Sequence, residues 1–262
     1  MSVIQAIILG IVQGIAEFLP ISSSGHLVLM HRVFGLQYEN LTFDIVVHLG
    51  TLLAIMWVFW PDIWMLIKKP CQKMTALLLI ASIPVVVAGF FFRNVIENYF
   101  RGGIWLGFAF IITGVLLIVA DKFTKTTKEE KDITYVDALI IGCMQALALP
   151  PGISRSGTTI TGGLVRGINR KAAAKFSFLL ALIAIAGAGV LESFEVISGG
   201  GISDLEWLPL LVGFITSTVV SYLAIKILLK IINAAKLRYF SFYLFVLAAF
   251  VLFDAFITQR FF

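Results

Sequence analysis

The sequence predicts an all-α polytopic membrane protein with an inverted-topology repeat, each half one re-entrant helical hairpin followed by three transmembrane helices. Three observations carry that prediction. The 262 residues are 60% hydrophobic and 13% charged, about half the charge of an ordinary soluble domain, with a mean hydropathy of +1.00. Apolar runs long enough for the ~20 residues that a helix needs to cross ~30 Å of hydrocarbon recur along the chain. Two further apolar stretches, 3–30 and 134–165, are broken by Pro, Gly and Ser where a span would be deepest. Such breaks survive at membrane depth only inside protein or against a watery cavity.

Taken in order, the first repeat (1–130) holds the hairpin at 3–30 and spans at 43–60, 75–92 and 104–120. The second (131–262) holds the hairpin at 134–165 and spans at 176–191, 208–228 and 239–257. Residues 1–30 lack a basic leader and a small-residue cleavage site, so they read as part of a single membrane domain. This topology sorts fifteen of the twenty Lys and Arg to one side. Arg32, Arg93, Arg101 and Arg260 go to the other, and Arg155 falls inside the second hairpin. The basic side is cytoplasmic by the positive-inside rule, which puts both termini outside the cell membrane. The net charge of +5 is then topological, and nucleic acid is not needed to explain it. Cys71 and Cys143 have no metal-ligand spacing and imply neither a disulfide framework nor a zinc site.

A shift of 132 residues lays one hairpin on the other: Gly10 on Gly142, Gln13 on Gln145, Ser22 on Ser154, Ser24 on Ser156 and Gly25 on Gly157. Because three spans follow each hairpin, the second copy runs through the bilayer the opposite way. Broken helices of inverted repeats meet near the midplane and build polar sites there, so the two serine-rich turns are expected to face each other.

Single Ser, Thr and Gly residues are common packing contacts in membrane helices. An acid, a histidine and an arginine among them are costly and point to function. The first turn offers Glu17, Ser22, Ser23, Ser24, Gly25 and His26; the second offers Ser154, Arg155, Ser156, Gly157, Thr158 and Thr159. Small-residue turns that open helices expose successive N–H groups and make anion-binding concavities. Arg155 adds a forked cation suited to phosphate. His26 can carry protons, and Glu17 can serve as a base or help hold a hard divalent cation. The inventory suits phosphoryl transfer without a nucleotide-binding loop. An inverted-repeat anion or lipid transporter shares the architecture, but conduction needs neither a nucleophile nor a proton shuttle.

"EFLPISSSGHL" (17–27) and "PGISRSGTTITGG" (151–163), with "TFDIVVHLGTLLA" (42–54) and "KFSFLLA" (175–181), resemble the undecaprenyl-diphosphate phosphatase family, the integral-membrane BacA type. The resemblance runs along essentially the whole chain. It implies hydrolysis of undecaprenyl diphosphate to the monophosphate carrier for cell-wall synthesis, bacitracin resistance, a bacterial cell-membrane location and dependence on Mg2+ or Ca2+. It makes Glu17 and His26 catalytic, Ser23 the nucleophile or a phosphate-contacting hydroxyl, and Arg155 the diphosphate clamp. The remaining serines, glycines and threonines of the two turns fall to substrate binding. Some members carry a second acid in an "EGxTE" pattern. Here that place is Gln13, a neutral ligand or hydrogen-bond partner, and Glu17 carries the acidic role alone. Attack by Ser23 and attack by an activated water both stay open, as does a homodimer.

Outside the two turns, Asp44 and His48 stand at the i, i+4 spacing that lets side chains meet and read as a structural pair. His31 and Arg32 read as interfacial anchors. Glu97, Glu192 and Glu195 are expected in solvated outer loops, and 122–132 reads as a cytoplasmic loop.

Overall fold

The structure, a computed structural model, describes residues 1–36, 41–100, 102–123, 126–198, 206–232 and 236–262. Lys125 and Arg101, and the side chains of Arg93, Glu97 and Glu195, lie outside the described set. Among the described residues the fold is helical, with an isolated backbone bridge between Lys128 and Ile168 in place of any sheet.

Each broken stretch is a pair of short helices around a tight turn. In the first, α1 (Val3–Ala16) begins at Ser2, whose hydroxyl accepts the Gln5 N–H while the Gln5 side chain returns to the Ser2 backbone. In the second, α7 (Tyr135–Ala146) begins at Thr134, paired in the same reciprocal way with Asp137. These capping boxes satisfy N–H groups that a helix start leaves unpaired, and they stand 132 residues apart. The returning helices, α2 (Ser23–Val33) and α8 (Arg155–Val165), are 11 residues each and also stand 132 apart. Ser22 and Ser154 cap them by accepting the Gly25 and Gly157 N–H groups. At 14 and 12 residues, α1 and α7 reach about 21 and 18 Å, less than the hydrocarbon thickness.

The other helices are α3 (Leu41–Val58), α4 (Trp60–Lys68), α5 (Lys73–Tyr99), α6 (Gly103–Lys122), α9 (Arg170–Ser198), α10 (Trp207–Ile231) and α11 (Arg238–Phe253). Among the described residues, five stretches are long and apolar enough to cross a membrane singly: one in each of α5, α6, α9 and α10, and one formed by α11 with the π-helical turn Asp254–Thr258 that continues it. A sixth span requires α3 and α4 together, and these are bent by 80°. The straight span expected over 43–60 therefore ends at Val58. The break has a local cause: Pro61 in the first turn of α4 lacks an N–H and restricts the residue before it. Beyond the bend, Trp60 stacks on Trp64 and Lys68 Nζ lies 5.0 Å from the Trp64 ring, an arrangement of the kind found at a membrane–water boundary. A second expectation also fails: Glu97, Glu192 and Glu195 lie within α5 and α9 rather than in loops, because both helices run on past the expected spans at 75–92 and 176–191.

The halves interlock. Helix α1 packs on α10, α7 packs on α5, α6 packs on α11, and α3 packs on both α9 and α10. Small residues let these helices approach. A Cβ at Gly142 would collide with the Ala81 carbonyl of α5, whereas one at Gly89 would meet nothing within 4 Å. At the basic end, the fully buried Asp137 accepts from Arg166 Nε (2.7 Å) and Lys128 Nζ (3.0 Å), tying α7 and α8 to the preceding loop. Gly142→Val is expected to cost about 1–3 kcal/mol by overpacking, and Gly89→Ala to be neutral or stabilising by up to about 1 kcal/mol. Thermal unfolding of the two variants in detergent checks both signs.

Candidate active site at the two turns

The two serine-rich turns touch. The Ser156 hydroxyl donates to the Leu19 carbonyl (3.0 Å), and a Cβ on Gly25 would fall 2.9 Å from the Cα of Gly152, which itself adopts φ +93°. The Glu17 carboxylate lies at the junction. Its Oε1 accepts from Arg155 Nη2 at 2.5 Å, and its Oε2 accepts from the Ser23 hydroxyl at 2.5 Å and from Gln13 Nε2 at 3.1 Å. His48 Nε2 stands 3.7 Å from Oε2. Ser23 and Arg155 are the first residues of α2 and α8, so two helix N-termini, each a partial positive charge, bracket one carboxylate. Glu17 is 7% exposed and Gln13 fully buried. In such surroundings the pair persists because each charge is matched and hydrogen-bonded.

Several expected residues hold the turns together. Ser154 Oγ contacts Ser156 Oγ (3.2 Å) besides capping α8. Thr158 and Thr159 both donate to the Arg155 carbonyl, at 2.9 and 2.8 Å, and Thr159 Oγ1 lies 2.7 Å from Ser177 Oγ. Ser22 and Ser24 lie 3.3 Å apart through their hydroxyls. Ser22 occupies φ +71°, a conformation uncommon for a residue other than glycine, and that geometry turns its carbonyl toward His26 Nδ1 (2.7 Å). A carbonyl only accepts, so Nδ1 carries the proton. In the neutral ring, Nε2 then accepts from the Tyr243 hydroxyl at 2.7 Å.

Tyr243 and His48 are the residues that the sequence reading missed or set aside. Tyr243, on α11, stacks on the His26 ring with an interplanar angle of 12°, but in the sequence it is one aromatic in an aromatic span. The spacing of His48 from Asp44 was the available signal. The expected side-chain pairing is corrected, because His48 Nδ1 bonds the Asp44 backbone carbonyl (2.7 Å) instead. The Asp44 carboxylate faces His31 Nε2 at 3.2 Å, out of hydrogen-bond alignment. That burial also removes His31 from the interfacial role expected of it. Arg32 lies against the Phe262 ring, 5.5 Å from its centroid.

A divalent cation has a fitting partial donor set here. Gln13 Oε1 is buried without a hydrogen-bond partner, next to the Glu17 carboxylate and the Ser23 hydroxyl. Such oxygen donors suit a hard cation. Among the described residues no group of three His, Cys, Asp or Glu gathers, so phosphate oxygens would have to complete the coordination.

The family model described as bacitracin resistance protein BacA matches residues 6–250. The chain belongs to that family. An undecaprenyl-diphosphatase of Carboxydothermus hydrogenoformans is 43% identical over 253 residues, covering 96% of this chain and 97% of the relative. One from Halothermothrix orenii is 39% identical over 254 residues, at 96% and 98% coverage. One from Methanosphaera stadtmanae is 38% identical over 265 residues, at 93% and 94%. Both turns lie inside the span matched by the BacA family.

Loss of Arg155 strands a buried carboxylate. Arg155→Ala is expected to cost about 3–5 kcal/mol, and Glu17→Gln combined with Arg155→Ala distinctly less than the sum of the two single changes. Detergent thermal melts of the three variants measure the difference.

Proposed function

We propose that the chain is a multi-pass membrane phosphatase that hydrolyses undecaprenyl diphosphate to undecaprenyl phosphate and inorganic phosphate, recycling the lipid carrier and conferring bacitracin resistance. The single observation that carries the reading, beside family membership, is the carboxylate of Glu17 held between the Ser23 hydroxyl and Arg155. A nucleophile hydrogen-bonded to a base, next to a cation and two helix N-termini, is the constellation that phosphoryl transfer needs.

In this reading the diphosphate draws Arg155 from Glu17 and binds at the two helix starts. Glu17 takes the Ser23 proton as Ser23 Oγ attacks the terminal phosphorus. The bond from that phosphorus to the bridging oxygen breaks, and undecaprenyl phosphate leaves. Water then attacks the phosphoserine phosphorus, giving a proton to His26 Nε2 once the Tyr243 hydroxyl yields; the bond from phosphorus to Ser23 Oγ breaks, Ser23 takes back the proton held by Glu17, and inorganic phosphate departs. A bound Mg2+ or Ca2+, held by Glu17 and Gln13 Oε1, would supply charge neutralisation of the phosphate oxygens.

The same reading takes the two helix pairs as re-entrant hairpins of an inverted repeat, in a bacterial inner membrane, with both termini and the site's opening outside the cell. The matching 132-residue offsets of caps and helices support the repeat. So do the cross-half packings of α1 on α10 and α7 on α5, which exchange under that offset. The short reach of α1 and α7 supports re-entry.

Purified protein is expected to release phosphate from undecaprenyl diphosphate, to lose that activity with a chelator and to regain it with Mg2+ or Ca2+. Glu17→Ala, Arg155→Ala and Ser23→Ala should each fall by about 10²–10⁴-fold, with phosphate trapped on Ser23 in rapid-quench peptide maps of wild type. A fully active Ser23→Ala protein would transfer the attack to water, and no release from folded wild type would put transport first. Tyr243→Phe, which frees His26 Nε2 of the hydroxyl that must otherwise yield, is expected to raise kcat by up to about five- to tenfold, the worth of one hydrogen bond, with KM unchanged in steady-state assays.

A further inference from the structure

Helix α6 runs beneath both turns. Leu106, Ala109, Phe110 and Thr113 lie at helical spacing on one face of it, and all four are buried. Phe110 meets the first turn: a Cβ on Gly25 would fall 2.7 Å from Phe110 Cε1, and the Phe110 and His26 ring centroids stand 5.5 Å apart. Leu106 and Ala109 meet the second: a Cβ on Gly152 would fall 2.6 Å from Ala109 Cβ and 2.9 Å from Leu106 Cδ1. Thr113 is the polar member of the four, and it too contacts the second turn.

A buried threonine in a membrane helix commonly returns its hydroxyl to the carbonyl one turn back, and Thr113 Oγ1 does stand 3.1 Å from the Ala109 carbonyl. That habit does not account for its other contacts. Oγ1 accepts the Ser154 N–H at 3.1 Å and lies 3.3 Å from the Gly152 carbonyl. One side chain of α6 thus grips the peptide groups on either side of Ile153. From the same helix, Trp105 Nε1 donates to the Pro151 carbonyl at 3.0 Å. The residue after Ser154 is Arg155, whose guanidinium must reach Glu17 in the other half. Without the Thr113 oxygen, the Ser154 N–H would lose its acceptor on a residue 1% exposed. A buried N–H left unpaired is costly, so the turn would shift to find another partner and carry Arg155 with it.

We propose that Thr113 is a positioning residue for the diphosphate: by holding the Ser154 peptide it fixes the direction in which Arg155 leaves the second turn, so that the guanidinium is already set to receive the phosphates. This rests on the phosphatase reading above. Glu17, Ser23 and His26 belong to the first hairpin, and Thr113 acts on the second. Its loss therefore weakens capture of the diphosphate and leaves the groups that move protons and attack phosphorus in place.

Steady-state hydrolysis of undecaprenyl diphosphate by the full-length protein in detergent provides the test, with methylenediphosphonate as a probe of the headgroup site alone. Thr113→Val keeps the shape and removes the hydroxyl. It should raise KM about tenfold, the worth of one buried hydrogen bond, with kcat within about twofold of wild type, and weaken methylenediphosphonate binding by the same factor. Thr113→Ser, which keeps the hydroxyl, should stay within about twofold of wild type in all three. Thr113→Ala carries the same expectation as the valine and replaces it if that protein does not fold. Wild-type KM in the valine or alanine protein, a fall in kcat at constant KM, or a serine protein as impaired as the valine would each overturn the role of Thr113. So would a raised KM with unchanged methylenediphosphonate binding, which would place the effect on the lipid chain. Absence of phosphate release by folded wild type would instead sink the phosphatase reading, while methylenediphosphonate titration calorimetry still reports on the turn.

Discussion

A carboxylate and a guanidinium in the middle of an apolar bundle are tolerable only in each other's company, and Glu17 and Arg155 meet across 138 residues of chain. Much of the surrounding architecture serves that meeting. Both helix pairs must end in a turn at the same depth. Both turns must be narrow enough for Gly25 to lie against Gly152, and both returning helices must start with a side chain that reaches one carboxylate. The caps at Ser2 and Thr134 set where the approaching helices begin, and Ser22 and Ser154 set where the returning ones begin. Satisfied backbone groups at those four points keep the turns sharp without water.

The carboxylate is also well supplied with donors. With Arg155 on one oxygen and Ser23 and Gln13 on the other, Glu17 already sits where an incoming anion would gather its donors. On the proposed phosphatase reading, that carboxylate stands in for the substrate's anion, and a diphosphate with more charge and more oxygens would compete for the same partners. Preorganisation of this kind lowers the reorganisation needed at the moment of reaction.

Most of the helical layout is legible in the sequence, because apolar length and the positions of Pro, Gly and Ser report directly on where a helix can lie in hydrocarbon. The paired turns are legible through the 132-residue offset, and Glu17, Ser23 and Arg155 through their cost in an apolar stretch. What escapes is whatever depends on a neighbour remote in the chain. Tyr243 is indistinguishable from the other aromatics of its span until α11 is placed beside His26. His48 has the right spacing for Asp44, but a ring nitrogen on a helix can find a carbonyl one turn back as easily as a side chain, and that choice turns its other nitrogen toward Glu17. The bend after Val58 escapes because hydropathy continues unbroken through Phe59 and Trp60 while one proline changes direction.

The 132-residue offset carries Ser23 onto Arg155 and Glu17 onto Leu149. Two copies of the first half would therefore bring together two glutamates and no cation, and two copies of the second half two arginines and no anion. Each like pairing buries an uncompensated charge, while the unlike pairing neutralises it. If the halves were severed and produced as separate polypeptides, this sign rule would sort them into mixed dimers. The sign of one ion pair thus favours the unlike pairing of the halves, in the same direction as the packing of α1 on α10, α6 on α11 and α3 on α9 and α10.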